Sequence, residues 1–233
     1  MKIIKQSHTI IFDPLYHSAL RTCESAIRTC YKSEERMAEV TAEPLIRKII
    51  KNGHHSCLEH IQFTFRLITN RGVTHELVRH RIGVAYSQES TRFVDYNGKE
   101  MEFIQPYWVS DQALQFCLRQ HESFKRGESD FLTTPHDEHY PVYLWLTSLE
   151  KAENDYKLLR VKGVLPQFAR GVLPNDLKTE IVMSANVRAL RHLFELRVLG
   201  RTGQPHPDIK ALLMPLYIWF REHYPVFFLD LEQ

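Results

Sequence analysis

Between His17 and Lys32 the apolar residues Ala19, Leu20, Cys23, Ala26, Ile27 and Cys30 recur at steps of three and four, which places them on one face of a helix. From Glu43 to Asn52 the pattern repeats, with Pro44 suited to a first turn and Gly53 to a C-terminal cap. The polar segment from His54 to His60 reads as a loop. Beyond it the period changes: Ile61, Phe63, Phe65 and Leu67 alternate with Gln62, Thr64 and Arg66, the period-two pattern of a strand with one buried face. Asn70-Arg71-Gly72 then leads into a short helix ending at Arg79-His80-Arg81.

Downstream, Glu102 to Gln105 has the composition of a further strand and Asp111 to Phe124 that of a helix. Lys125 to His139 carries Gly127, Pro135 and many charges and reads as a surface loop. A long amphipathic helix follows over Tyr140 to Val161, then a short turn or helix over Pro166 to Leu173 and a strand over Lys178 to Ser184. Asn186 is placed to cap a helix from Val187 to Val198, and the Gly200-to-Pro207 loop separates it from a last helix over Asp208 to Tyr224. These elements, without a repeat or low-complexity linker, predict an α+β fold: a single domain over residues 1–233, with helices packed around a modest mixed or antiparallel sheet.

Composition narrows the classes. The chain has 233 residues, 43% hydrophobic and 25% charged, enough to bury a sizeable core at the upper size of one domain. Its formal net charge of +2 comes from scattered Lys and Arg, so nucleic acid and membrane surfaces are not expected partners. No apolar run approaches the roughly 20 residues of a membrane helix. Cys23, Cys30, Cys57 and Cys117 form no CxxC pair, and the N-terminus lacks the apolar core of a signal peptide; a reducing cytoplasm is the expected location.

The chemistry concentrates after residue 78. Neither GxGxxG nor GxxxxGK[ST] occurs, and nine glycines leave little room for a glycine-rich phosphate cradle. Thr74-His75-Glu76-Leu77-Val78-Arg79-His80 looks like a zinc helix, but its histidines are five apart, about 140° round the helix instead of on one face. His55 and Glu59 have i,i+4 spacing without a third specified ligand, so no metal is expected. Arg79, His80 and Arg81 fan around a ligand if the helix ends there; the competing account is a solvated C-terminus favoured by the helix dipole. Ser87, Gln88, Ser90 and Thr91 follow with donors and acceptors of little bulk, and Arg92 adds a planar fork for phosphate or carboxylate. Arg170, Arg188 and Arg197 recur among apolar neighbours, where a buried guanidinium needs an anion. Only Glu180 and Glu195 lie near in sequence, which leaves a bound anion or salt bridges from distant segments.

Five pieces together resemble the flavin-dependent thymidylate synthases: Asn52-Gly53-His54-His55-Ser56-Cys57-Leu58-Glu59-His60 before Phe63-Thr64-Phe65; Arg79-His80-Arg81 with Ser90 and Arg92; Ala169-Arg170-Gly171-Val172-Leu173-Pro174; Asn186-Val187-Arg188; and Leu196-Arg197. The resemblance runs from about Arg28 to Arg197. It implies a homotetramer with sites shared between subunits, binding FAD outside the Rossmann scheme. It also implies reductive methylation of dUMP to dTMP, with methylenetetrahydrofolate as carbon donor, NADPH as reductant by way of FAD, and no enzyme nucleophile. On matching positions, Arg79, His80, Arg81, Ile82, Ser33, Ser56, Glu59, Asn186, Arg188 and His192 are implied for FAD. Glu76, Arg79, Gln88, Glu89, Ser90, Thr91, Arg92 and Arg170 are implied for dUMP, and Arg197 as the catalytic arginine against the uracil, where a cation favours negative charge developing on the base.

The chain also departs from the family pattern. Eight residues, Ile82 to Glu89, separate Arg-His-Arg from Ser90 where seven are usual, so the loop is expected to bulge by one. Glu76 stands where glutamine is common, and near a phosphate it must be turned away or paired. His192 replaces a frequent flavin-binding asparagine, and Gln204 and His206 are the candidates for a histidine usual beyond Arg197. Two rivals accompany this reading: a nucleotide- or flavin-binding regulator without turnover, and a zinc hydrolase built on His54, His55, Glu59 and His60. Cys57 beside His55, and Ser90, are the tempting nucleophiles, each with a plain packing or binding role as the alternative.

Overall fold

A computed structural model describes residues 1–127 and 137–232. In chain order its regular elements are strands β1 (Lys2–Ile4) and β2 (Ser7–Phe12), helices α1 (Tyr16–Tyr31) and α2 (Ala42–Lys51), strand β3 (Gln62–Asn70), helix α3 (Arg71–Leu77), and strands β4 (Val84–Gln88) and β5 (Glu102–Ile104). Helices α4 (Asp111–Lys125), α5 (Tyr140–Val161) and α6 (Pro166–Ala169) precede strand β6 (Lys178–Asn186), and α7 (Val187–Arg197), α8 (Pro207–His223) and α9 (Pro225–Phe228) complete the α+β chain. It gathers into two compact units, Gln6–Gln88 with Glu180–Gln233, and Met1–Lys5 with Glu89–Thr179.

The larger unit holds a four-stranded sheet in the order β2-β3-β6-β4, with β2 antiparallel to β3 and β4 antiparallel to β6. Alternation along β3 points Phe63, Phe65 and Leu67 inward, fully buried, and leaves Gln62 and Arg66 exposed. Against them lie the apolar faces of α1, α2, α7 and α8. Phe63 meets the rings of Phe220 and Tyr224 edge-on, each at 4.8 Å, geometry favoured by the aromatic quadrupole. Removing such a ring costs about 3–5 kcal/mol. Arg191, buried on α7, ties down the end of the chain. Its guanidinium reaches the Asp230 carboxylate at 2.6 and 2.5 Å and also donates to the Phe227 carbonyl.

In the smaller unit β1 pairs in parallel with β5, and Met101, Phe103, Leu149, Tyr156, Ala169 and Leu177 form a core. A second cluster, including Leu114, Cys117, Val142 and Leu146, fills the seam between α4 and α5. Arg160 grips Asp95 through Nη2 at 2.7 Å and Nε at 3.1 Å, which, with the Asn97 amide, holds the Asp95 carboxyl far below its ordinary range.

Most of the helices predicted from periodicity stand within two residues of their expected bounds, and Tyr140–Val161 matches. Three strands escaped the pattern. In β2 every residue is exposed or half-buried, and in β4 the inward positions Val84, Tyr86 and Gln88 are only half-buried, so neither strand has a fully buried face to impose an alternation of apolar and polar residues on its sequence. The three-residue β1 is too short to show a period. The expected loop at 54–60 is wound as a 3-10 turn over His55–His60. Of the expected surface loop at 125–139, Lys125 belongs to α4, and residues 128–136 lie outside the described residues.

Candidate active site

Two strand-to-helix junctions of the larger unit are built alike. Asn70 ends β3 and its side chain accepts from the Val73 amide at 2.8 Å; Asn186 ends β6 and accepts from the Ala189 amide at 2.8 Å. Each satisfies one of the open N–H groups at the start of its helix. α3 stops at Leu77, and the Arg79 and His80 amides close turns onto the carbonyls of Glu76 and Leu77. Arg79, His80 and Arg81 therefore follow a helix end, the arrangement in which three consecutive side chains spread apart. Gly83 then turns the chain with φ 71°, and a Cβ there would lie 2.3 Å from Asn186 Nδ2. Strand β4 pairs without interruption from Val84 opposite Ala185 to Gln88 opposite Ile181. The expected one-residue bulge is thus absent from the strand.

The turn and the end of α7 meet through Arg197. Its Nε donates to His80 Nε2 at 3.2 Å and its Nη1 to Glu76 Oε2 at 2.7 Å. The His80 ring also lies edge-on to His192, centroids 5.8 Å apart. Burial, then the Arg197 and His192 charges, pushes the His80 imidazole down to about 4. It is neutral at neutral pH, and because Nε2 accepts from Arg197, its proton sits on Nδ1.

A cleft of about 470 Å³ opens beside this array, lined by His55, Glu59, Ile82, Asn186, Arg188, Ala189, Arg191, His192 and Glu195. Arg188 Nη1 reaches Glu59 Oε1 at 2.6 Å, with both side chains well exposed. Five residues assigned to FAD by resemblance, Glu59, Ile82, Asn186, Arg188 and His192, thus line one cleft, and His80 touches it through the His192 ring. Ser33 lines a second cleft of about 400 Å³ with Arg28, Lys32, Arg36, Lys48 and His54, while Ser56, Arg79 and Arg81 are exposed. Gln88 donates to Thr74 Oγ1 at 3.0 Å.

The other nucleotide-directed residues belong to the smaller unit. There Arg170 Nη1 donates to Thr91 Oγ1 at 3.1 Å, the Arg92 amide donates to Ser90 Oγ at 3.3 Å, and the Arg92 guanidinium lies 5.4 Å from the Phe93 ring centroid. Glu89 accepts from the Tyr96 hydroxyl at 2.8 Å and from Lys178 at 3.4 Å.

One expectation changes. Arg170 and Arg188 are exposed, and among the described residues the arginine buried among apolar side chains is Arg191. Of the two alternatives left open for these arginines, salt bridges from distant segments hold for two: Glu59 pairs with Arg188 and Glu76 with Arg197, 129 and 121 residues away. Glu76 is paired, as its position demanded. His55, Ala189, Arg191 and Glu195 join the cleft although only His55 carried a sequence signal, its i,i+4 relation to Glu59.

His55 Nε2 lies 3.3 Å from the Ile50 carbonyl and Glu59 is engaged by Arg188, so these two groups are already committed. Among the described residues no group of three or more His, Cys, Asp or Glu is placed to hold a metal ion, and no helix is long and apolar enough to cross a membrane. Cys57 is buried, and burial, then the neighbouring Cys57 sulfur, pushes the Cys23 thiol up to about 12.

Residues 15–226 match the family model Thy1, described as thymidylate synthase complementing protein. A flavin-dependent thymidylate synthase from Geobacter sulfurreducens is 30% identical over 237 residues, spanning 99% of this chain and 86% of the relative. One from Corynebacterium efficiens is 31% identical over 96% of this chain and 84% of its own. Among solved structures, the UMP/dUMP methylase PolB from Streptomyces cacaoi, bound with 5-Br dUMP, superposes with a TM-score of 0.74 at 22% identity, covering 97% of this chain and 95% of PolB. That likeness concerns the fold.

Proposed function

Because the chain belongs to the thymidylate synthase complementing protein family, that of the flavin-dependent thymidylate synthases, we propose that it is an enzyme of reductive dUMP methylation, with methylenetetrahydrofolate as carbon donor, NADPH as reductant and FAD as cofactor. The observation that carries this reading is the hydrogen bond from Arg197 to His80, which couples the arginine assigned to the base with the histidine assigned to the flavin. The cleft chemistry suits a flavin nucleotide. Arg188 supplies a cation, Asn186 and His192 supply polar edges, and Gly83 allows the close backbone approach beside Asn186. Ser33, Ser56, Glu59, Arg79, His80, Arg81 and Ile82 complete the proposed FAD set. When bound, the flavin supplies the hydride chemistry that no side chain here can perform.

The protein's share is binding and electrostatics. Ser90, Thr91, Arg92 and Arg170 hold the nucleotide phosphate, with Arg79, Gln88, Glu89 and Glu76 as further neighbours of dUMP. Arg197 presents a planar cation where negative charge grows on the pyrimidine. The scheme uses no enzyme nucleophile; the burial of Cys57 supports this, and Ser90 is given the role of a nucleotide ligand. Residues 1–233 act as one catalytic domain in a cytoplasmic homotetramer with sites shared between subunits; the family match spans parts of both compact units.

The test combines a flavin titration with an NADPH- and folate-dependent assay, offering dUMP and UMP in parallel. FAD uptake and dTMP formation from dUMP are expected. Arg197→Lys should lower turnover about a hundredfold or more while leaving FAD affinity within a few-fold, because an ammonium cannot reproduce the fork. A folded protein that takes up no flavin refutes the reading; faster turnover of UMP reassigns the substrate.

A further inference from the structure

We propose that Glu76 is a positioning residue, acting on the nucleotide through Arg197 and not by contact of its own; this rests on the thymidylate synthase reading above. Arg197 is anchored at two separate atoms, Nε on His80 Nε2 at 3.2 Å and Nη1 on Glu76 Oε2 at 2.7 Å. One anchor leaves a guanidinium free to swing about that bond. Two anchors fix the plane of the group.

The pair is half sheltered, with Arg197 and Glu76 side chains 25% and 28% exposed, so water screens it less than a surface ion pair. A charge-assisted bond of this length is roughly twice as strong as one to a neutral amide. Glu76 sits on the last turn of α3 and Arg197 at the end of α7, so the bond also fixes one helix end against the other. Its negative charge, however, opposes a dianionic nucleotide nearby. The carboxylate therefore improves the geometry of the reacting arginine at the expense of ground-state attraction, a combination that raises turnover without tightening binding.

Three measurements on the full-length protein separate this role from direct nucleotide contact. In Glu76→Gln, kcat is expected to fall about five- to tenfold while the dUMP dissociation constant stays equal or becomes smaller. In Glu76→Ala, kcat should fall about ten- to a hundredfold with dUMP affinity within about threefold of the parent. Weaker dUMP binding with kcat retained would make Glu76 a direct ligand of the nucleotide and overturn the proposal, as would unchanged kcat and affinity in both variants. The third measurement needs no turnover: the Arg197 Nε–H resonance of the ligand-free protein should be slowly exchanging in the parent and in Glu76→Gln, and broadened by exchange in Glu76→Ala. An equally sharp resonance in Glu76→Ala refutes the anchoring. Should Glu76→Ala fail to fold, Glu76→Gln decides through its kcat and affinity. A parent protein inactive on dUMP removes the functional reading, and the resonance then tests the anchor alone.

Discussion

The His80 imidazole accepts a hydrogen bond from Arg197 only while it is neutral, and its surroundings keep it neutral to about pH 4 against an ordinary value of 6.5. The unfolded chain binds the proton first on acidification, so between pH 6.5 and 4 the unfolded state holds more protons and folding stability falls with pH; above 6.5 this contribution is fully present. His80→Gln keeps an acceptor and removes the titration. Thermal melts of the two proteins should therefore converge as pH drops from 6.5 to 4, the parent losing more. His8, also lowered by burial, is present in both and cancels. Equal pH slopes would mean that His80 does not titrate low. At this scale the sequence revealed the residue types, Arg79-His80-Arg81 and Arg197, but not that His80 and Arg197 touch, because a separation of 117 residues leaves no trace in local spacing.

Among the elements, the turn between α3 and β4 does the most to place the site. Gly83 has φ 71° and its missing Cβ leaves room for the Asn186 side chain, which is itself held as the α7 cap. Gly83→Ala would combine a left-handed conformation, which costs an L residue about 1–2 kcal/mol, with a contact that displaces the cap, worth about 1 kcal/mol more. A loss of about 2–3 kcal/mol in urea unfolding is expected, with weakened flavin binding because Asn186 and Ile82 line the cleft. Gly98→Ala, whose φ of 75° is similar but whose Cβ would meet nothing within 4 Å, should lose only the backbone part. Comparable losses at both glycines would remove the close approach to Asn186 as a cause. The helices were readable from periodicity because each buries a single stripe. The strands β2 and β4 were not, since their environment is only half apolar and the pairing that defines them comes from distant segments.

For the whole molecule, the residues implied by the resemblance divide between the two compact units. Arg197, His80 and Glu76 belong to one; Ser90, Thr91, Arg92 and Arg170 belong to the other. If the proposed homotetramer builds its sites from several subunits, mixing two inactive variants restores function. Arg170→Ala and Arg197→Ala proteins, each inactive alone, are expected to regain a substantial fraction of turnover after co-refolding, with the tetramer verified by sedimentation. Failure to complement in verified mixed tetramers would place Arg170 and Arg197 in sites drawn from a single chain.

The sequence alone determined the class of fold, most helix bounds, the Asn186 cap and the chemical types in the site, because these follow from local periodicity, hydrogen-bonding capacity and contiguous motifs. Tertiary structure decided which charges meet: Glu76 with Arg197, Glu59 with Arg188, and Asp230 with the buried Arg191. The physical reason is that burying β3 and β6 against α7 and α8 fixes where the ends of those elements lie, and an ion pair forms between whichever end groups that packing leaves within reach.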